Sequence, residues 1–154
     1  MERVREPLRT MATALHLTAE ASPGFIRPTR ELVADVAKEH GLSEHRAEEL
    51  KLCLHEAMAN VVRHAYEGRP GPVDVTLEDR GDELAVVVSD HGDGGTSRIR
   101  NGGGLGLQLM SRLSQSCTIC AHRDGMEVKM VFPVRTARRS EPTLPYREQR
   151  LLHF

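Results

Sequence analysis

The longest periodic stretch of the chain, AEELKLCLHEAMANVVRHAY over residues 47–66, sets Leu50, Leu54, Ala57, Met58, Val61 and Ala65 at spacings of three and four. That spacing predicts a helix with one continuous apolar stripe. Glu56, Asn60 and His64 recur every fourth residue beside it, so a helix stacks an acid, an amide and an imidazole in one row. Such a row is either a solvated face or a base, a metal ligand and a phosphate contact aimed into a pocket. The pattern alone leaves both open.

Upstream, residues 13–19 (TALHLTA) alternate as an edge strand with Leu15 and Leu17 on one face. A helix is expected from Phe25 or Pro28 to His40, turning Leu32, Val33, Val36 and Ala37 inward. Pro28 fits only its first turn, and Gly41 is a natural stop. Ser43 is the expected cap of the second helix, with Glu44, Glu48 and Glu49 favourable at its amino end. That helix should run to about Tyr66, and the Gly68, Pro70, Gly71, Pro72 cluster makes a turn.

Downstream, Val73, Val75 and Leu77 alternate with Asp74, Thr76 and Glu78 as a half-buried strand. A turn at Arg80-Gly81-Asp82 leads into residues 84–89, apolar enough for a strand covered on both faces. Residues 105–113 have helical spacing, and 117–122 and 126–133 read as strands around an Asp124-Gly125 turn. Strand, two helices, hairpin, glycine loop, helix and hairpin in that order predict an α+β fold. It should be a two-layer sandwich with a mostly antiparallel, mixed sheet and its helices on one face. The expected division is a frayed segment 1–10, one domain 11–134, and a basic flexible tail 135–154.

Composition narrows the function classes. The 154 residues are 39% apolar and 28% charged with a net charge of −1, an ordinary globular balance with no field to attract nucleic acid or an anionic membrane. There is no Trp, and three Phe and two Tyr give little for base stacking. The apolar runs are too short to span a bilayer and the N-terminus carries no signal-peptide core, so the expected compartment is cytoplasmic. Three cysteines fit a reducing setting; Cys117 and Cys120 form a CxxC, but in a strand their side chains point to opposite faces.

Between the two hairpins, residues 90–106 hold seven of the thirteen glycines. Asp90-His91-Gly92-Asp93-Gly94 follows a buried strand directly. Gly102-Gly103-Gly104-Leu105-Gly106 runs into a helix, where free amides and the positive dipole end favour an anion such as phosphate. Two familiar phosphate motifs are absent. No glycine is followed by Lys and then Ser or Thr, and no GxGxxG lies within a strand–helix–strand unit.

Glu56-Ala57-Met58-Ala59-Asn60 with His64, then Asp90-x-Gly92-x-Gly94, then Gly102-x-Gly104-Leu105-Gly106-Leu107 resemble in order the N, G1 and G2 boxes of the Bergerat-fold ATPases. That superfamily includes gyrase and the histidine kinases. The phrase LHEAMANVVRHAYEG is most similar to its anti-sigma-factor serine/threonine kinase branch, and the resemblance covers about residues 15–132. It implies ATP and Mg²⁺ as cofactors, with Asn60 as the metal ligand and Glu56 as the base that takes a serine proton. It implies that His64 lies near the phosphates and that Asp90 holds adenine in a pocket shaped by Gly92 and Gly94. Gly102, Gly104, Leu105 and Gly106 would then face the phosphates through backbone amides.

There are two departures from the branch. Only residues 95–101 (GTSRIRN) separate the second and third boxes, with Arg98 and Arg100 set to meet phosphate charge. The last hairpin carries Gly125-Met126 where the branch usually has Gly-Thr. The implied function is a bacterial partner-switching serine kinase acting on a STAS-type anti-anti-sigma protein, with a sigma factor as possible second partner and a homodimer as possible assembly. The alternative is a non-catalytic, nucleotide-dependent anti-sigma or regulatory module.

Overall fold

The computed structural model describes residues 11–92 and 104–134. Strand β1 (Ala12–Glu20) leads into helices α1 (Pro23–Glu39) and α2 (Glu44–Asn60), and α2 continues as one π-helical turn, Val61–Ala65. Hairpin β2 (Pro72–Asp79) and β3 (Glu83–Asp90) comes next. Helix α3 (Leu105–Leu113) and hairpin β4 (Ser116–His122) and β5 (Gly125–Pro133) complete the chain.

The five strands form one sheet in the order β1-β2-β3-β5-β4. Every pairing is antiparallel, so the sheet is not mixed among the described residues. Period-two alternation keeps each apolar row continuous from edge to edge. One row runs Leu17, Val75, Val88, Val128, Ile119 and the next Leu15, Leu77, Val86, Met130, Cys117. Against them pack Val33, Ala34 and Ala37 of α1, Leu50, Leu54, Ala57 and Met58 of α2, and Met110 of α3, all buried. Each buried Val, Leu or Met among them contributes roughly 1.5–3 kcal/mol by leaving water, and the alanines let the helices approach the sheet, so this single layer of contact holds the fold. In the row beyond, Val73, Asp90 and Met126 are paired across β2, β3 and β5. Alternation thus turns an acid toward the helices at the sheet's end.

Five expectations are corrected. Helix α1 starts at Pro23, with Ser22 before it, so the first-turn proline is Pro23 and Pro28 lies inside the helix. Pro28 is exposed, and the Gly24 carbonyl it leaves without an amide partner is on the exposed side as well. Second, α2 is α-helical only to Asn60; the wider turn that follows keeps Val61 and Ala65 buried. Third, His122 pairs with Gly125, so the tight loop is Arg123-Asp124 and Gly125 belongs to the strand. The fourth is the unmixed sheet, and the fifth is Leu32, expected inward but 44% exposed because the buried face of α1 runs through Ile26, Thr29, Val33 and Ala37.

The readings of Ser43, Gly41 and the cysteines stand. Ser43 caps α2 by accepting the Arg46 amide at 3.2 Å. Gly41, at φ 96°, ends α1 with the Gly41 and Leu42 amides returned to the carbonyls of Lys38 and Ala37. Cys117 points toward the helices while Cys120 is exposed. No helix among the described residues is long and apolar enough to cross a membrane.

Candidate functional site

Three elements meet at the end of the sheet. From α2 and its π turn come Ala57, Asn60, Val61, His64 and Ala65; from the sheet come Val88, Asp90, Met126 and Val128. Together they wall a narrow cavity of about 10 Å³, room for about one water. On the other side of Glu56 is a wider depression of about 320 Å³, lined by Leu105, Gly106, Gln108, Leu109 and Arg112 of α3. The row expected along α2 therefore serves two adjoining hollows: Asn60 and His64 face one, Glu56 the other.

Asp90 is the acid of this site. It is 8% exposed, and its Oδ1 accepts the Gly92 amide at 3.1 Å. Burial pushes its carboxyl above the ordinary range, while the amides of Gly92 and Met126 work against that shift. A desolvated carboxylate facing a cavity favours a ligand that donates a hydrogen bond to it. Close backbone approaches fix its position. A Cβ on Gly92 would lie 1.9 Å from the Ala65 carbonyl oxygen, and one on Gly125 would lie 1.9 Å from the Asp90 carbonyl oxygen. Both glycines are needed because backbone meets backbone there.

At the other end, α3 begins against Glu56. A Cβ on Gly106 would come within 2.6 Å of Glu56 Oε2. Gly104 stands at the N-cap of α3 with no side chain of its own to cap the helix. The first amides of α3 thus have no intrahelical partner and can receive an anion. Leu105 is 83% exposed, so its contribution to such a site is its amide. Neither Glu56 nor Asn60 gives its side chain to a hydrogen bond or ion pair among the described residues.

The structure thus brings together Glu56, Asn60, His64, Asp90, Gly92, Gly104, Leu105 and Gly106. Gly94, Arg98, Arg100 and Gly102 lie outside the described residues. Among those described, no cluster of three His, Cys, Asp or Glu side chains is arranged to hold a metal. A carboxamide oxygen such as Asn60's fits Mg²⁺, which takes few protein ligands and keeps water and phosphate around it. Two residues are placed at the site only by the fold: Met126 in the cavity wall and Tyr66 just outside it. Met126 stands where the resemblance expects an adenine-holding Thr, and its pairing with Asp90 sets it in the cavity wall. Tyr66 reads from the sequence as a helix end, although an aromatic followed five residues later by a glycine hints at ring-over-backbone packing.

The chain belongs to the family described as the histidine kinase-like ATPase domain, which matches residues 19–132. It is similar to serine-protein kinase RsbW of Bacillus subtilis (strain 168), 29% identical over 140 residues that cover 80% of this chain and 87% of the relative. Serine-protein kinase RsbW of Listeria innocua is 28% identical, with 80% and 88% covered. Two solved structures share the fold. The SiaB–SiaC complex of Pseudomonas aeruginosa matches with a TM-score of 0.62 at 15% identity, over 78% of this chain and 91% of that one. The RsbU and RsbW domains of a Mycobacterium tuberculosis protein match with a TM-score of 0.59 at 20% identity, over 78% of this chain and 32% of that one.

Proposed function

We propose that the chain is an ATP-dependent serine kinase of the RsbW kind, whose acceptor is a serine of a small STAS-type anti-anti-sigma protein. One observation carries the reading: a carboxylate, Glu56, stands one helical turn before Asn60 and against the amino end of α3. A module that only binds nucleotide needs the amide far more than the acid.

The roles follow from position. Asp90 accepts the adenine amino group, which answers its desolvated carboxylate. Asn60 holds Mg²⁺, which when bound neutralises phosphate oxygens. The α3 amides of Leu105 and Gly106 cradle phosphate, with His64 at the rim of the same cavity. In the transfer, Glu56 removes the serine proton as the serine oxygen bonds to the terminal phosphorus. The bond from that phosphorus to the bridging oxygen breaks, and ADP leaves with the electron pair.

One observation favours a second reading, a regulatory module without transfer. The cavity at Asp90 is narrow, with Met126 in its wall, so adenine needs a wall to move. Phosphate transfer from ATP to a cognate STAS protein, wild type against Glu56→Ala, separates the two. The kinase reading expects phosphoserine on the acceptor with wild type and a loss of at least a hundredfold with the variant. Nucleotide binding without any transfer by wild type supports the module instead.

A further inference from the structure

We propose that Tyr66 is a positioning residue: its phenol holds open the end of the β2–β3 ladder and so sets Asp90 at the correct depth for the nucleotide base. The inference rests on the nucleotide reading of the site above. Tyr66 is not in the cavity wall, and it touches Asp90 only through the chain.

The chain reverses just after the π turn. Tyr66 leaves the helix at φ −122° and ψ 22°, Glu67 has φ 54° and Gly68 has φ 80°. The phenol ring then lies flat over Gly71, where a Cβ would come within 2.5 Å of three ring atoms. From there its hydroxyl donates to the Pro72 carbonyl and accepts the His91 amide at 2.9 Å.

Those two partners explain the arrangement. The last pair of the β2–β3 ladder is Val73 with Asp90, so one step further Pro72 would oppose His91. The phenol oxygen stands between them as a wedge, satisfying both groups while keeping them apart. Burial pushes the Tyr66 hydroxyl above its ordinary range, and the His91 amide works against that shift. The hydroxyl therefore remains protonated, and a donor, at neutral pH.

The wedge matters because the residues on either side of His91 belong to the site. Asp90 precedes it and receives the Gly92 amide that follows it. Gly92 in turn rests on the Ala65 carbonyl, one residue before Tyr66. A single side chain therefore ties the end of the π turn, the start of β2 and the Asp90–Gly92 turn into one unit. A second tether to the His91 ring, Nε2 at 3.1 Å from Asp74 Oδ2, lies at the surface and leaves the His91 amide to the phenol. Without the hydroxyl, Pro72 and His91 are free to close on each other. That closure would lift the Asp90–Gly92 turn from Ala65 and move the carboxylate.

The test is Tyr66→Phe in the full chain, which keeps the ring over Gly71 and removes only the oxygen. Affinity for Mg·ATP and Mg·GTP is read by titration calorimetry, alongside the melting temperature. A positioning role predicts ATP affinity lower by roughly three- to tenfold, as for one lost hydrogen bond. It also predicts a narrower ATP-over-GTP preference, because the base-reading acid has moved. A purely structural role lowers the melting temperature and leaves both affinities of the folded protein unchanged, which would overturn the proposal. Should Tyr66→Phe not fold, amide exchange in wild type decides: protection of the His91 amide supports the wedge, and free exchange overturns it. Failure of wild type to bind ATP would instead refute the nucleotide reading on which the inference stands.

Discussion

Replacing Gly92 with Ala tests how tightly the acid of the site is fixed. The added Cβ would sit 1.9 Å from the Ala65 carbonyl oxygen and 2.5 Å from its carbon, where contacts under 3.0 Å do not occur. The chain must therefore separate there by at least 3.0 − 1.9, about 1.1 Å. Neither side is a flexible side-chain end, and Ala65 is buried at the foot of α2. The movement falls on the Asp90–Gly92 turn, breaking the 3.1 Å bond from the Gly92 amide to the Asp90 carboxylate. Overpacking of this kind costs about 1–3 kcal/mol, and a lost hydrogen bond to a charged group about 1.5–3 kcal/mol. Allowing for strain relieved when the bond breaks, the net is about 2–4 kcal/mol, or a melting temperature lower by about 5–12 °C. Scanning calorimetry measures the first effect and Mg·ATP titration the second, an affinity at least roughly tenfold weaker. Gly24→Ala is the control, since a Cβ there, on α1 and away from the site, meets nothing within 4 Å. A Gly92→Ala protein that melts within a degree of wild type and binds equally well would refute the packing argument.

Three further outcomes are expected. Met126→Ala widens the cavity beside Asp90, so ATP affinity should rise severalfold by titration while the ligand-free protein loses about 1 kcal/mol, or about 2–4 °C. Asp90 has a carboxyl raised by burial, so its ionisation costs stability as pH rises from 3.8 through the folded value; Asp90→Asn should melt higher than wild type at pH 7, not differ near pH 3, and bind ATP more weakly. In thiol labelling of the native protein at pH 8, exposed Cys120 should react quickly; Cys53, its thiol pushed to about 12 by burial, should react only on unfolding.

Much of this was legible in the sequence because the period of each element matches its burial. The α2 stripe, the two hairpins and residues 105–113 all followed from spacing, and the helix found is Leu105–Leu113. Which face Asp90 takes was not legible, because residues 84–88 are apolar on both sides and only the packing of α2 over Val86 and Val88 distinguishes them. The misses have a common cause. A π turn adds no signature of its own, because Val61 and Ala65 suit either helix type. Pro23 and Pro28 compete for the first turn of one helix, and only tertiary packing decides between them. Gly125 looked like a turn glycine, whereas its pairing with His122 places it in a strand, at a positive φ of 145° that only the missing Cβ allows beside the Asp90 carbonyl. The wall between Met126 and Asp90 and the wedge at Tyr66 depend on register across β3, β5 and β2, which no local pattern encodes.

On the function proposed above, α2, the end of β3 and the start of α3 form a single site for metal-bound ATP. Paramagnetic broadening of amide signals by Mn²⁺·ATP tests it most directly, because broadening falls steeply with distance from the metal. The Asn60 side-chain amide should broaden first, followed by the backbone amides of residues 57–65, 90–92 and 104–107. Broadening centred on the opposite face of the sheet, around His16 and Asp74, or spread evenly over the protein, would contradict it.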